Sequence, residues 1–149
     1  MSLLERFEKD FLTAYKARNE LTVAVLRMLK TAAKNKQVEL KRALTDEETL
    51  EVLARQVKQR KESIESFTKG NRPDLAAKEQ AELAILAAYM PEAATADELA
   101  AFVGQAIADT GAKGPADMGR IMGLVMAKYK GRLDGKMASD MVKTRLAAL

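Results

Sequence analysis

Three times in this 149-residue chain a hydroxyl residue is followed three positions later by glutamate: Ser2 with Glu5, Thr45 with Glu48 and Thr95 with Glu98. That spacing lets the hydroxyl accept the third helical amide while the carboxylate reaches back to the cap, so each pair marks a helix start. Asn19 and Asp134 are candidate caps for two more starts. Pro73 and Pro115 suit a first helical turn, where a missing N–H costs nothing. Gly70, Gly111 and Gly131 suit C-terminal stops. This punctuation predicts seven helices near 2–17, 20–36, 46–69, 73–90, 96–110, 115–129 and 135–148. No alternating apolar pattern competes with it, so the expected fold class is all-α.

The strongest boundary is Met90-Pro91-Glu92-Ala93-Ala94-Thr95. Proline disfavours helix in the residue before it, and a capping box follows at once. We therefore expect an N-terminal four-helix domain over 1–91 and a C-terminal three-helix domain over 95–149. The second would lie near the lower size limit for independent folding.

The residue inventory narrows the chemistry. With no Cys and no His, a thiol nucleophile, a thiolate zinc site, the usual general base and the commonest transition-metal ligand are all missing. No P-loop, dinucleotide glycine fingerprint or nucleophile elbow is present. The inventory points to no metal and no cofactor and leans against an autonomous enzyme, while leaving a Ser–Lys or carboxylate mechanism open. No apolar run approaches the ~18–20 residues needed to cross a bilayer. The opening MSLLERFEKDF carries acids where a signal peptide needs an apolar core, so the expected home is cytoplasmic.

Charge is unevenly laid out within the overall +4. Residues 1–91 hold 17 Lys/Arg against 14 Asp/Glu (net +3), 92–110 hold none against four (net −4), and 111–149 hold eight against three (net +5). The basic end contains KYKGRLDGKMAS, residues 128–139. There Lys128, Lys130, Arg132 and Lys136 surround Gly131 and Gly135, with Ser139 one turn further on. If Gly131 ends one helix and Asp134 caps the next, the orphan amides and helix dipole make an anion-friendly spot, although Asp134 can occupy those amides itself. On the preceding helix, Gly119 and Gly123 form a small-residue strip beside Arg120. Close packing of a neighbouring helix is the first explanation for such glycines. Approach of another backbone, such as nucleic acid, is the second.

A second basic surface is spread over earlier helices. Arg27, Lys30 and Lys34 share one side of helix 2 at i, i+3 and i+7, with Leu21, Val25, Leu29 and Ala33 on the other. They could track phosphates or form an ordinary solvated face. Helix 3 carries Arg55, Lys58, Arg60 and Lys61. Its apolar seam of Leu50, Leu53, Val57, Ile64 and Phe67 is interrupted by Arg60, for which a structural ion pair is the leading expectation. On helix 1, Leu3, Phe7, Phe11 and Tyr15 line one face, as core or as a stacking row.

The segments LRMLKTAAKN, VKQRKESIESF, GNRPDLAAKEQAELAILAAYMPE and DMGRIMGLVMAKYKGRLDGKMASDMVK, in this order, resemble the GatB/YqeY family. MG-x-x-MG followed by K-G-R-x-D-G-K is the most specific piece. The resemblance implies an all-helical protein whose C-terminal domain is similar to the tail of the B subunit of glutamyl/aspartyl-tRNA amidotransferase. That tail helps to hold tRNA while another domain performs phosphorylation and amide transfer. Carried onto this chain, the motif falls on Gly119, Gly123, Lys130, Gly131, Arg132, Gly135 and Lys136. Helix 4, with LAILAAYM, is richer in alanine than the family pattern.

The family is associated with carbon–nitrogen ligase activity using glutamine as amido-N-donor. This chain lacks the B subunit's catalytic cradle and the Ser–Ser–Lys glutaminase machinery of the partner subunit. The expectation is thus an accessory tRNA-binding module. Its possible company is an aminoacyl-tRNA synthetase or amidotransferase complex, with no membrane contact and no oligomeric state legible. The competing reading is a helical protein–protein adaptor without nucleic-acid binding.

Overall fold

The computed structural model describes every residue except Gly131. Its described residues are all-α: α1 (Leu3–Lys16), α2 (Glu20–Leu40), α3 (Asp46–Lys69), α4 (Pro73–Ala87), α5 (Ala96–Thr110), α6 (Met118–Lys128) and α7 (Gly135–Ala147), with a 3₁₀ turn at Pro115–Asp117 before α6. Ser2, Thr45 and Thr95 form the reciprocal capping boxes that their spacing predicts. Asn19 caps α2 and Asp134 caps α7. Pro73 opens α4, and Pro115 opens the 3₁₀ turn.

Helix endings depart more from expectation. Gly111 adopts the left-handed conformation after α5 (φ 67°), but Gly70 does not (φ −80°). After α3 the positive φ falls on Asn71, after α2 on Lys41 and after α1 on Arg18, each at 56°. Only Asn among these tolerates that region well. α2 runs four residues past the expected 36 because no glycine or proline stops it before Lys41.

The chain divides into two compact units, Met1–Met90 and Pro91–Leu149. In the first, Phe7, Val25, Leu26, Leu29, Leu53, Val57 and Leu86 form the buried cluster. Phe7 meets Tyr89 edge-on at 5.0 Å, and the Tyr89 hydroxyl donates to Asp10 at 2.5 Å, tying the end of α4 to α1. Burial, then the Asp10 carboxylate, pushes the Tyr89 phenol well above its ordinary value. The α3 seam is buried at Leu53, Val57 and Arg60 and half-buried at Leu50, Ile64 and Phe67. On α1, Phe7 is core, Phe11 is half-buried and Tyr15 is exposed.

In the second unit, Leu99, Val103, Ile121, Val125, Val142 and Leu146 interlock with Ala94, Ala106, Tyr129 and Ala138. The side chains come from all three helices at three- and four-residue spacing, which turns one stripe of each helix inward. Each fully buried aliphatic chain stabilises by about 1.5–3 kcal/mol relative to exposure, so this small unit depends on few residues.

Candidate nucleic-acid interface

The basic corner is built on the α6 and α7 ends. α6 buries Ile121 and Val125 and half-buries Met118 and Met122, which leaves Gly119, Arg120, Gly123, Met126 and Ala127 on its exposed side. Nothing lies within 4 Å of a Cβ built on either Gly119 or Gly123. Close packing by a neighbouring helix is therefore not what these glycines serve among the described residues. The first explanation from sequence is corrected, because both glycines face away from α5 and α7.

The arginines here are held by acids and carbonyls. Arg120 pairs with Asp117 at 2.8 Å. Asp117 also accepts the amides of Lys113 and Gly114, at 2.8 and 3.4 Å. The Lys113 amide, followed by the Gly114 amide and the Arg120 guanidinium, holds the Asp117 carboxyl below its ordinary value. Arg132 is half-buried: its Nε donates to the Glu92 carbonyl at 2.8 Å, its Nη2 lies 3.6 Å from Glu98, and its guanidinium covers the Tyr129 ring at 5.7 Å. Tyr129 in turn donates to the Glu98 carbonyl at 3.3 Å and meets Phe102 edge-on at 5.4 Å. The Ala94 amide donates to the Arg132 carbonyl at 2.8 Å. Arg132 thus clips the segment before α5 to the α6–α7 turn, a structural task that its place in a basic motif does not reveal.

The anion-friendly amides expected at the start of α7 are occupied. Asp134 Oδ1 accepts the amides of Lys136 and Met137 at 3.0 and 3.1 Å. Lys128, Lys130, Gly135 and Lys136 are exposed and Ser139 is half-buried. Gly131 lies outside the described residues. Lys128, Lys130 and Lys136 are thus the exposed lysines around this turn, and α6 turns Gly119 and Gly123 outward beside Arg120 and Met126.

The second basic surface separates into two kinds of residue. Arg60 is only 7% exposed and does not belong to any surface. Its Nε lies 3.1 Å from Glu82 and 3.5 Å from Glu79, and its Nη1 donates to Gln56 at 3.2 Å. This corrects its inclusion among surface cations: two carboxylates spaced i, i+3 on α4 satisfy it. On α3, Arg55, Lys58 and Lys61 are exposed, with Lys58 at 4.0 Å from Glu62. On α2, Arg27 and Lys34 are exposed and Lys30 half-buried, while Leu21 is also exposed, contrary to its expected inward place. No sequence period announces that Phe11 of α1 lies beneath Arg27 and Lys30, at 5.7 and 4.4 Å from the ring centroid. Among the described residues, no cluster of three acids is placed to hold a metal ion. No helix among the described residues is long and apolar enough to cross a membrane.

Comparison with known proteins decides the lineage. The family described as "Yqey-like protein" matches residues 4–146, nearly the whole chain. The chain belongs to the YqeY-like family. Among YqeY-like relatives, "Altered inheritance of mitochondria protein 41, mitochondrial" of Pyrenophora tritici-repentis is 29% identical over 149 residues, which cover 98% of this chain and 82% of that protein. Proteins of the same name from Saccharomyces cerevisiae and Vanderwaltozyma polyspora are each 36% identical, over 91 and 84 residues. Those matches cover 60% and 56% of this chain and span about half of each yeast relative, 49% and 45%. The names overturn the expectation of a cytoplasmic home, since these relatives are designated mitochondrial.

Proposed function

We propose that this YqeY-like protein is an accessory RNA-binding module with tRNA as its ligand and no catalytic step of its own. One observation carries the reading. α6 turns Gly119 and Gly123 to solvent with open space over both. Each costs the helix about 1 kcal/mol against alanine. Among the described residues, no neighbour lies close enough to offset that loss. A two-glycine strip on α6 suits the close approach of an external backbone, and the exposed lysines Lys128, Lys130 and Lys136, at and beyond the C-terminal end of that helix, suit a polyanion.

The resemblance to the amidotransferase tail supports tRNA as the RNA. On this reading, an amidotransferase or aminoacyl-tRNA synthetase complex is the setting, and any glutamine-dependent ligation belongs to other chains. The compartment carried over from the relatives' names is the mitochondrion. A protein–protein adaptor is the second reading, favoured by Met126 and Leu124, which are 59% and 41% exposed on the same short helix.

Titration with tRNA across salt concentrations tests the choice. The triple variant K128Q/K130Q/K136Q should flatten the dependence of log affinity on log salt by about 2, at roughly 0.7–0.9 for each phosphate no longer neutralised. An unchanged slope sinks the reading. Salt-insensitive capture of a protein partner in place of tRNA favours the adaptor.

A further inference from the structure

The groove between α1 and α2 presents a different arrangement of charge from the basic corner. Over residues 21–38, α2 contains Arg27, Lys30, Lys34 and Lys36 and no acid. Lys34 joins Arg27 and Lys30 in lining the groove, and Glu8 of α1 is the one carboxylate among the described residues that line it. Among the described residues, Arg27, Lys30 and Lys34 form no ion pair; Arg27 and Lys30 rest on the Phe11 ring. A ring face orients a cation without cancelling its charge, and it leaves the N–H donors directed elsewhere. Arg27 and Lys30 are thus positioned without being neutralised, and Lys34 extends the row one turn further.

We propose that the α1–α2 groove is a second RNA contact site, taking successive backbone phosphates along Arg27, Lys30 and Lys34 and an unstacked base on Tyr15. The row rises about 10.5 Å from residue 27 to residue 34 at 1.5 Å per residue, more than a single phosphate bridges. That length suits a strand and not a lone anion. Tyr15 is 63% exposed and stacks on Phe11 at 6.3 Å and 24°, so one face continues the aromatic row outward. Base-on-aromatic stacking beside a cationic track is the mode by which unpaired nucleotides are held. The proposal rests on the RNA-binding reading only for the identity of the ligand. Its residues lie wholly in the first unit.

The test uses the full chain and bulk tRNA. R27Q/K30Q/K34Q should flatten the salt dependence by about 2 and lower affinity at least tenfold at physiological ionic strength. The charge-preserving R27K/K30R/K34R should retain the slope, and thermal melting checks that both remain folded. R55Q/K58Q/K61Q removes the same net charge from α3 and should leave affinity within about twofold, since Lys58 lies 4.0 Å from Glu62 and Arg55 shares its pocket with Glu39, Glu48 and Glu51. Tyr15→Ala should cost about tenfold towards RNA with unpaired loops and little towards duplex RNA.

An equal loss from the α3 variant would reduce the effect to net charge and overturn the site. An unchanged slope in R27Q/K30Q/K34Q, with the slope abolished in K128Q/K130Q/K136Q, overturns the groove and leaves the proposed function standing. If the chain binds no RNA at all, both fall.

Discussion

The α1–α2 groove and the α6–α7 corner are both basic, but they use their arginines differently. At the corner, Arg132 and Arg120 are tied to Glu92, Glu98 and Asp117, and Asp134 fills the amides of α7. In the groove, Arg27 and Lys30 are seated on an aromatic ring and, among the described residues, meet no carboxylate at salt-bridge distance. The corner turns lysines and two helix glycines outward, whereas its arginines hold the fold. A count of positive residues treats these cases alike. The partner of each guanidinium separates them, because a paired charge contributes little to a distant polyanion and much to its own surroundings.

Variants that separate binding from stability can break this contrast. The largest effect belongs to Arg60, the most thoroughly consumed cation. Arg60→Ala leaves Glu79 and Glu82 facing an emptied site and should destabilise the first unit by about 3–5 kcal/mol in urea unfolding. Correctly folded R60A at low temperature should bind tRNA as before, and a loss of salt slope there would contradict its structural role. Next, G119A/G123A should raise stability by about 2 kcal/mol, with tRNA affinity falling. Stabilisation without weaker binding would mean that nothing approaches that face closely.

Arg132→Gln comes third, costing the second unit about 1 kcal/mol as the hydrogen bond to the Glu92 carbonyl and the cover over the Tyr129 ring disappear, with the salt slope nearly kept. A large slope change at full stability would move Arg132 from the fold to the interface.

The smallest effects are in pH dependence, and they have opposite signs in the two units. Tyr89 has a raised value when folded, so its contribution is complete below about pH 10, where the unfolded phenol titrates, and is lost above that. Tyr89→Phe should remove this alkaline loss from the first unit. Asp117 has a lowered value when folded, so its contribution is complete above about pH 4 and disappears as pH falls below that. Asp117→Asn should flatten the acid limb of the second unit. Amide hydrogen exchange followed separately for each unit checks both.

Helix starts were legible because a capping box is a contact between residues three positions apart, complete within its own segment. The boxes at Ser2, Thr45 and Thr95 form as their spacing predicts. Helix endings were less so: Gly70 offered a left-handed stop, yet the chain turned at Asn71. The charged motif was legible as composition and as a family resemblance, and it brought Lys128, Lys130, Arg132 and Lys136 to attention together. Its division of labour was not, since Glu92 lies 40 residues from Arg132 and Glu82 lies 22 from Arg60.

By itself the sequence determined the helices, their caps and the family, because these depend on local hydrogen bonds and on motifs read in order. Only the tertiary structure decided that Gly119 and Gly123 face open space, that Arg132 is a clip, and that Phe11 seats two cations. The physical reason is that a charge is free or consumed according to what the fold brings within a few ångströms of it, and distance along the chain does not report that.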